Sequence, residues 1–217
     1  MQQKLKTDFD KFISSSNFSN KEIKLKKEAL DNFLKNGFPS RKLENWKFSD
    51  INQIIKKNIG ELAFYNDYNI EAFGTSKNNF MRTFVKKLKS DYSAPINGVG
   101  LQSHFKINLT TDDFISRVGK TIDDLGESNF IANITELDIR ICNGDTQTLE
   151  DQKKAFKNII STAFSRDNCK TILIWVPSDN DSWINSHFEG CGQATPHDEN
   201  FNRKPAYYGI QEALMAL

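Results

Sequence analysis

The sequence lacks several features that would each point to a class of partner. Charge is nearly balanced, with 29 Lys and Arg against 28 Asp and Glu in 217 residues, so no overall field draws the chain onto nucleic acid or an anionic membrane. No apolar run reaches the roughly 20 residues of a membrane span. The N-terminal residues contain no continuous apolar stretch of the kind found in a secretory signal. We therefore expect no nucleic-acid or membrane partner and, from this N-terminus, a cytoplasmic location.

Cysteine is scarce and irregularly placed. Cys142, Cys169 and Cys191 show neither CxxC nor zinc-finger spacing, and an odd count in a chain of this length is not typical of a disulfide framework. No phosphate-binding loop is visible. The sequence therefore predicts no disulfide scaffold, no metal site and no cofactor.

Charge is unevenly distributed along the chain. Residues 1–60 hold 13 Lys and Arg against 7 Asp and Glu, whereas residues 61–217 hold 16 against 21. This asymmetry predicts two pieces that meet near Gly60. The first piece is predicted to be helical, with Asn20 capping a helix that runs to about Asn36 before Gly37 stops it.

From Glu61 the pattern alternates between strands and amphipathic helices. Strands are predicted at ELAFYNDYN, INGVGLQSHF, NITELDIRI and TILIWV, the last apolar throughout as in a strand covered on both faces. Helices are predicted around Phe80, Phe84, Val85 and Leu88, from Thr111 to Gly126, from Leu149 to Ala163, and from Tyr208 to Ala216. Four successive βα units indicate an α/β architecture with a parallel sheet, either open or part of a barrel.

Polar side chains gather at the ends of two of these strands. Alternation places Glu136, Asp138 and Arg140 on one face of the third strand, opposite Thr135, Leu137, Ile139 and Ile141. Gln102 and His104 have equal parity at the end of the second strand. Active sites of βα barrels lie at these ends, although a strand Glu is also common in structural ion pairs and a His in cores.

Two tryptophans follow the fourth strand. Trp175 ends it and Trp183 stands eight residues later. Tryptophans are usually core residues, but aromatic platforms beside carboxylates also suit sugar rings, whose C–H faces stack while their hydroxyls form hydrogen bonds.

These motifs together resemble a known family. The stretches FYNDYNIE, GVGLQSHF, ITELDIRI, WVPSDNDSW and DENFNRKPAYYGIQEAL are similar, in order, to the C-terminal half of glycoside hydrolase family 10, the endo-1,4-β-xylanases. The resemblance covers residues 61–217. It implies strands five to eight of a (β/α)8 TIM barrel, retaining cleavage of β-1,4-xylan, xylan or xylo-oligosaccharides as ligands, and secretion, which conflicts with the visible N-terminus.

The resemblance also implies residue roles. Glu136 matches the nucleophile, His104 a residue that hydrogen-bonds it, and Asp138 a residue that orients the imidazole. The matched sugar-binding positions are Gln102, Asn66, Tyr68, Trp175 and Trp183.

Some positions depart from the family pattern. Val176 stands where the family usually has Gly, and Cys169 lacks a disulfide partner because Ala163 occupies the matching position. The family's general acid lies in a WDVVNE-like motif at the end of strand four, and nothing like it precedes residue 61. Glu44 is a weak candidate because no Asn precedes it. No general acid/base is identifiable, so we expect weak or absent activity from this chain alone.

The first 60 residues suggest other interpretations. KEALDNFLKNGFPSRKLENWKFSDI, within residues 21–59, resembles the N-terminal segment of iron–sulfur cluster assembly proteins of the SUF system. The chain could then be a non-catalytic protein that docks an assembly complex through residues 1–60, or a chimeric gene product. Four parallel strands cannot close a barrel, so self-association through the open edges is also expected.

Overall fold

The described part of the N-terminal unit contains two helices. The computed structural model describes residues 2–14, 19–36 and 63–217, and its contacts divide the chain into residues 1–61 and 62–217. Helix α1 spans Gln2–Ser14 and helix α2 spans Asn20–Asn36. Ser19 caps α2, because its hydroxyl accepts from Glu22 N at 3.3 Å and its own N–H donates to the Glu22 carboxylate at 2.8 Å. The predicted cap at Asn20 is thus one residue late, and the predicted stop at Gly37 lies outside the described residues.

The C-terminal unit is built on parallel strands around one long central strand. The strands are β1 (Phe64–Asp67), β2 (Gly98–Leu101), β3 (His104–Lys106), β4 (Ile131–Cys142), β5 (Ile172–Ile174) and β6 (Cys191–Gly192). β1 pairs with β2, and β4 pairs with β2, β3 and β5, all in parallel; β6 alone is antiparallel, at the end of β4. The predicted α/β class and parallel sheet are confirmed.

Helices connect these strands. They are α3 (Ser76–Tyr92), α4 (Asp112–Glu127), α5 (Leu149–Phe164), the short α6 (Ile184–His187) and α7 (Pro205–Met215), with single 3-10 turns at Ile107–Leu109 and Asp179–Asp181. Thr75, Thr111 and Thr148 cap α3, α4 and α5 by accepting a backbone N–H. No helix in residues 2–14, 19–36 and 63–217 is long and apolar enough to cross a membrane.

The core lies between β4 and the helices that cover its outer side. Leu137 and Ile139 of β4 are fully buried, as are Ile122 of α4 and Phe156 and Ile159 of α5. Each such side chain contributes about 1.5–3 kcal/mol by leaving water. This packing fixes β4 and with it the polar groups on its other side.

Three local predictions about the helices and the last strand are wrong. Phe80 is 64% exposed, because the buried side of α3 follows Met81 and Val85 instead. Gly126 does not end α4, which runs to Glu127 and is capped by Ser128. Leu173 is 53% exposed, so β5 is covered on one side rather than on both.

The predicted second strand is broken in two. Ser103 has a left-handed backbone, with φ of +66°, which a regular strand cannot contain. Gln102 therefore follows β2 in a turn while His104 begins β3, so the two are not alternate residues of one strand. The break brings His104 into register with Asp138.

The cysteine prediction is also wrong in part. Cys142 and Cys191 form a disulfide, because the β4 and β6 pairing places them opposite each other. The spacing of the cysteines did not predict this contact, since 49 positions separate the two residues. Cys169 is buried and free, as expected from Ala163.

Candidate functional site

His104 links the two carboxylates of β4. Its Nδ1 lies 2.8 Å from Asp138 Oδ2 and its Nε2 lies 3.2 Å from Glu136 Oε2. Both partners are acceptors when ionised, so the doubly protonated imidazolium satisfies both contacts. The parity prediction that placed Glu136 and Asp138 on one side of the strand agrees with this arrangement.

The carboxylates also set the pKa of His104. Burial by itself lowers the pKa of the imidazole, but the hydrogen bonds and charges of Asp138 and Glu136 outweigh it. The pKa of His104 therefore lies above its ordinary value of 6.5. The two carboxylates thus favour the protonated form of the imidazole.

A second contact orients Glu136 from β1. Asn66 donates from Nδ2 to Glu136 Oε1 at 2.9 Å, and its amide is fixed because Thr135 donates to Asn66 Oδ1 at 2.7 Å. Gly100 lies beneath this amide, where a Cβ atom would collide with Asn66. Thr135 had been predicted on the opposite face; the register of β4 against β5 shifts between Ile134 and Leu137 and breaks the simple alternation.

Asp138 anchors a tryptophan as well as the histidine. It is 1% exposed, and its Oδ2 accepts from Trp183 Nε1 at 2.9 Å. The Trp183 ring lies 5.0 Å from the His104 ring, centroid to centroid. The indole is thus held at the edge of the carboxylate pair rather than free to turn.

Glu71 supports the site from below. It is 3% exposed, and its carboxylate accepts from Ser103 N at 2.8 Å. Burial raises the pKa of this carboxyl group. Because Ser103 forms the turn before His104, Glu71 fixes the position from which the imidazole reaches β4. It is the last residue of the stretch FYNDYNIE, but the sequence analysis assigned it no role.

These groups form one wall of a cleft of about 670 Å³. Among the lining residues are predicted site residues Tyr68, Gln102, His104, Glu136, Trp175 and Trp183, together with Asn69, Arg140, His187 and Phe188. Asn66 and Asp138 lie behind this lining, where Asn66 is hydrogen-bonded to Glu136 and Asp138 to His104 and Trp183. The structure thus brings all eight predicted residues together. The sequence missed Asn69, His187 and Phe188 and gave Arg140 only a strand face. Two signals were available: Asn69 directly follows Tyr68 in FYNDYNIE, and His187 and Phe188 follow Trp183 closely.

The cleft combines an oriented carboxylate with aromatic walls, an arrangement that suits the binding of sugar rings. The model of "Glycosyl hydrolase family 10" matches residues 44–213. The chain is 37% identical over 155 residues to endo-1,4-beta-xylanase D of Talaromyces funiculosus and 38% over 154 residues to endo-1,4-beta-xylanase A of Humicola insolens. Each match covers 70% of this chain but 37% and 39% of those enzymes.

Solved structures give the same result. Native xylanase 10B from Thermotoga maritima matches with a TM-score of 0.65 and 30% identity, over 70% of this chain and 46% of that one. A xylanase from Bispora sp. MEY-1 with xylobiose matches with a TM-score of 0.67 and 27% identity, over 75% and 50%. The chain belongs to glycosyl hydrolase family 10, and it spans half or less of the length of these relatives.

The family match moves the expected boundary. It begins at residue 44, whereas the resemblance was expected from residue 61, so residues 44–59 overlap the segment compared with SUF proteins. The relatives reported above are all xylanases, and the SUF resemblance receives no support. Glu44 lies outside the described residues.

Proposed function

We propose that this chain supplies the nucleophile half of an endo-1,4-β-xylanase site and binds β-1,4-linked xylo-oligosaccharides in the cleft. The observation that carries the proposal is the orientation of Glu136, held by Asn66 and His104. Trp175 and Trp183 wall the same cleft, where their rings can stack on sugar C–H faces. Xylanase 10B from Thermotoga petrophila RKU-1 and the Bispora enzyme both have structures with xylobiose.

The chemistry assigned to Glu136 is nucleophilic. In a retaining glycosidase one carboxylate attacks the anomeric carbon and forms a glycosyl–enzyme bond, while a second carboxyl about 5–5.5 Å away protonates the leaving oxygen and later activates water. His104 and Asn66 would aim the Glu136 carboxylate at that carbon. Asp138 and Trp183 would fix the imidazole and one wall.

The second carboxyl has no candidate in the described cleft. Glu136 is the one carboxylate among the cleft-lining residues of the described chain. The general acid would therefore come from elsewhere, and we expect slow or absent hydrolysis when this chain acts alone. Pairing of the open sheet with a complementary half barrel would restore the missing side, whereas a second copy would bring another Glu136 and no recognisable acid.

We further propose an oxidising environment for the protein and a separate role for residues 1–60, whose described part is helical. The Cys142–Cys191 bridge supports the first proposal, because disulfides persist in secreted and periplasmic proteins and are rare in the cytosol. This replaces the cytoplasmic expectation. The division of contacts at residue 61 supports the second.

Calorimetric titration with xylotetraose tests the ligand and the site. We expect Glu136→Gln to retain binding, because the amide keeps the shape of the cleft, and Trp175→Ala to weaken it about tenfold through loss of one stacking face. Cellotetraose, titrated in parallel, separates xylan from other β-glycans. Absence of xylotetraose binding by the wild-type chain would refute the proposal, and efficient xylan hydrolysis abolished by Glu136→Gln would refute the dependence on an external acid.

A further inference from the structure

Arg140 occupies a distinctive position in the cleft. It follows Asp138 by two residues on β4, is half-buried and lines the cavity. Its guanidinium carbon lies 4.1 Å from the centre of the Phe188 ring. An arginine stacked on an aromatic ring has its plane fixed while the N–H groups at its edge remain available.

Those N–H groups have no hydrogen-bond acceptor among the residues that the structure describes. The nearby acids are engaged by other groups: Asp145 accepts from Lys106 Nζ at 3.0 Å and from Cys142 N at 2.8 Å. Asp138 accepts from His104 and Trp183 through its Oδ2. The charges of Asp138 and Asp145 attract the guanidinium without completing its hydrogen bonds.

A half-buried arginine with unfilled donors is a prepared anion site. Arginine stays protonated at any pH that a folded protein tolerates, and its five N–H donors match a carboxylate in a bidentate fork. Four residues along a strand place Arg140 about 13 Å from Glu136. An acid bound there belongs to a branch, or to a sugar some way from the bond at Glu136.

We infer that Arg140, seated on Phe188, binds the carboxylate of a uronic acid carried by the polysaccharide. This inference rests on the proposed xylan-binding function and deepens it, because it assigns acidic rather than neutral chains as the preferred ligand. Phe188 holds the guanidinium plane, and the cleft excludes part of the water that would otherwise screen the charge pair.

Paired titrations with two ligands test the inference. Xylotetraose and the same oligosaccharide carrying one glucuronic acid branch are titrated into the Glu136→Gln chain, where turnover cannot interfere. We expect the acidic ligand to bind about tenfold more tightly, because a charge-assisted hydrogen-bond pair contributes about that factor to the affinity. Added Arg140→Gln should abolish this preference, and the affinity of the same variant for xylotetraose serves as its reference. The preference should also shrink as salt is raised.

A matched control comes from another arginine stacked on an aromatic ring. The Arg203 guanidinium carbon lies 4.5 Å from the Tyr207 ring centre, and neither residue lines the cleft, so Arg203→Gln should keep the preference. Circular dichroism confirms folding, and Arg140→Lys, which retains the charge without the fork, should keep only part of the preference.

The outcomes separate the two proposals. Equal binding of both oligosaccharides by the parent chain, or a preference that survives Arg140→Gln, overturns the uronate inference and leaves the xylan proposal intact. Binding of neither oligosaccharide overturns both. Tighter binding of the acidic ligand, lost with Arg140→Gln alone, supports both.

Discussion

His104 determines how the carboxylates of the site are held. Its two ring nitrogens contact Asp138 and Glu136, and only the protonated ring can donate to both. Deprotonation leaves one carboxylate without a donor from the imidazole. The charge state of a single ring therefore decides whether the imidazole can donate to the proposed nucleophile and to Asp138 at the same time.

This arrangement predicts a measurable titration. We expect the NMR resonances of His104 to titrate with a midpoint above 6.5, and Asp138→Asn to lower that midpoint because one attracting charge is removed. The folded pKa exceeds the unfolded one, so the stabilisation from His104 is complete below about pH 6.5 and is lost as pH rises through the folded pKa. A wild-type midpoint below 6.5 would contradict the assignment.

Gly100 offers a second test at this scale. In Gly100→Ala the new methyl group would collide with Asn66 and lie 2.9 Å from Thr135 Cγ2, so Asn66 must move and Glu136 loses its second contact. We expect a stability loss of about 1–3 kcal/mol and weaker oligosaccharide binding, measured by urea unfolding and calorimetry. Gly126→Ala is the control, since its methyl would meet only the Asn168 side chain at 3.0 Å. Unchanged stability and affinity would exclude this role for Gly100.

The candidate residues were predictable because motif and alternation agree on them. Glu136, Asp138 and Arg140 have equal parity, and this placed all three on the cleft side of β4. Thr135 could not be placed, because the irregularity that follows Ile134 depends on pairing with β5. Glu71 stands at the end of FYNDYNIE, but its role could not be predicted, because its contact is with a turn 32 residues away.

Among the contacts between elements, the pairing of β4 with β6 is the one that the sequence did not predict. The disulfide joins the end of the strand that carries Glu136 to the strand that follows the Trp183 segment. Helix starts were easier to predict, since Thr111 carries its own signal as a cap. Strand pairing between distant residues carries no local signal, so β6 and the break at Ser103 were missed.

The bridge should stabilise the fold strongly. Cys142→Ser with Cys191→Ser opens a loop defined by a sequence separation of 49, and we expect a loss of about 2–4 kcal/mol in the free energy of unfolding. Cys169→Ala removes a buried thiol without a bridge and should cost about 1 kcal/mol. Denaturant curves of the three proteins give the comparison; equal losses for the two variants would argue against a bridge.

At the scale of the whole molecule, the described sheet has two free edges. β1 pairs only with β2, and β5 only with β4, within residues 63–217, and Leu173 exposes 53% of its surface at one of these edges. Exposed apolar strand edges favour pairing with another chain. Motif order predicted this half-barrel architecture well, whereas nothing in residues 61–217 indicated what covers the open side.

The edge leads to a prediction about assembly. Wild-type protein should self-associate as its concentration rises, and Leu173→Lys should reduce this association, because a charge on an edge strand opposes pairing. Leu109→Lys, at another exposed leucine (56%), should have little effect. Sedimentation velocity measures both; a wild-type chain that stays monomeric throughout would contradict the prediction.

The Cys142–Cys191 bond also makes a covalent ring of the segment between them. Both tryptophans of the cleft and all of α5 and β5 lie inside this ring. A protease that cuts once between residues 143 and 190 therefore releases no fragment until the bond is reduced. On a gel the nicked protein would run as one band without reductant and as two bands with it. Both tryptophans of the cleft would therefore remain attached to the strand of Glu136 after cleavage.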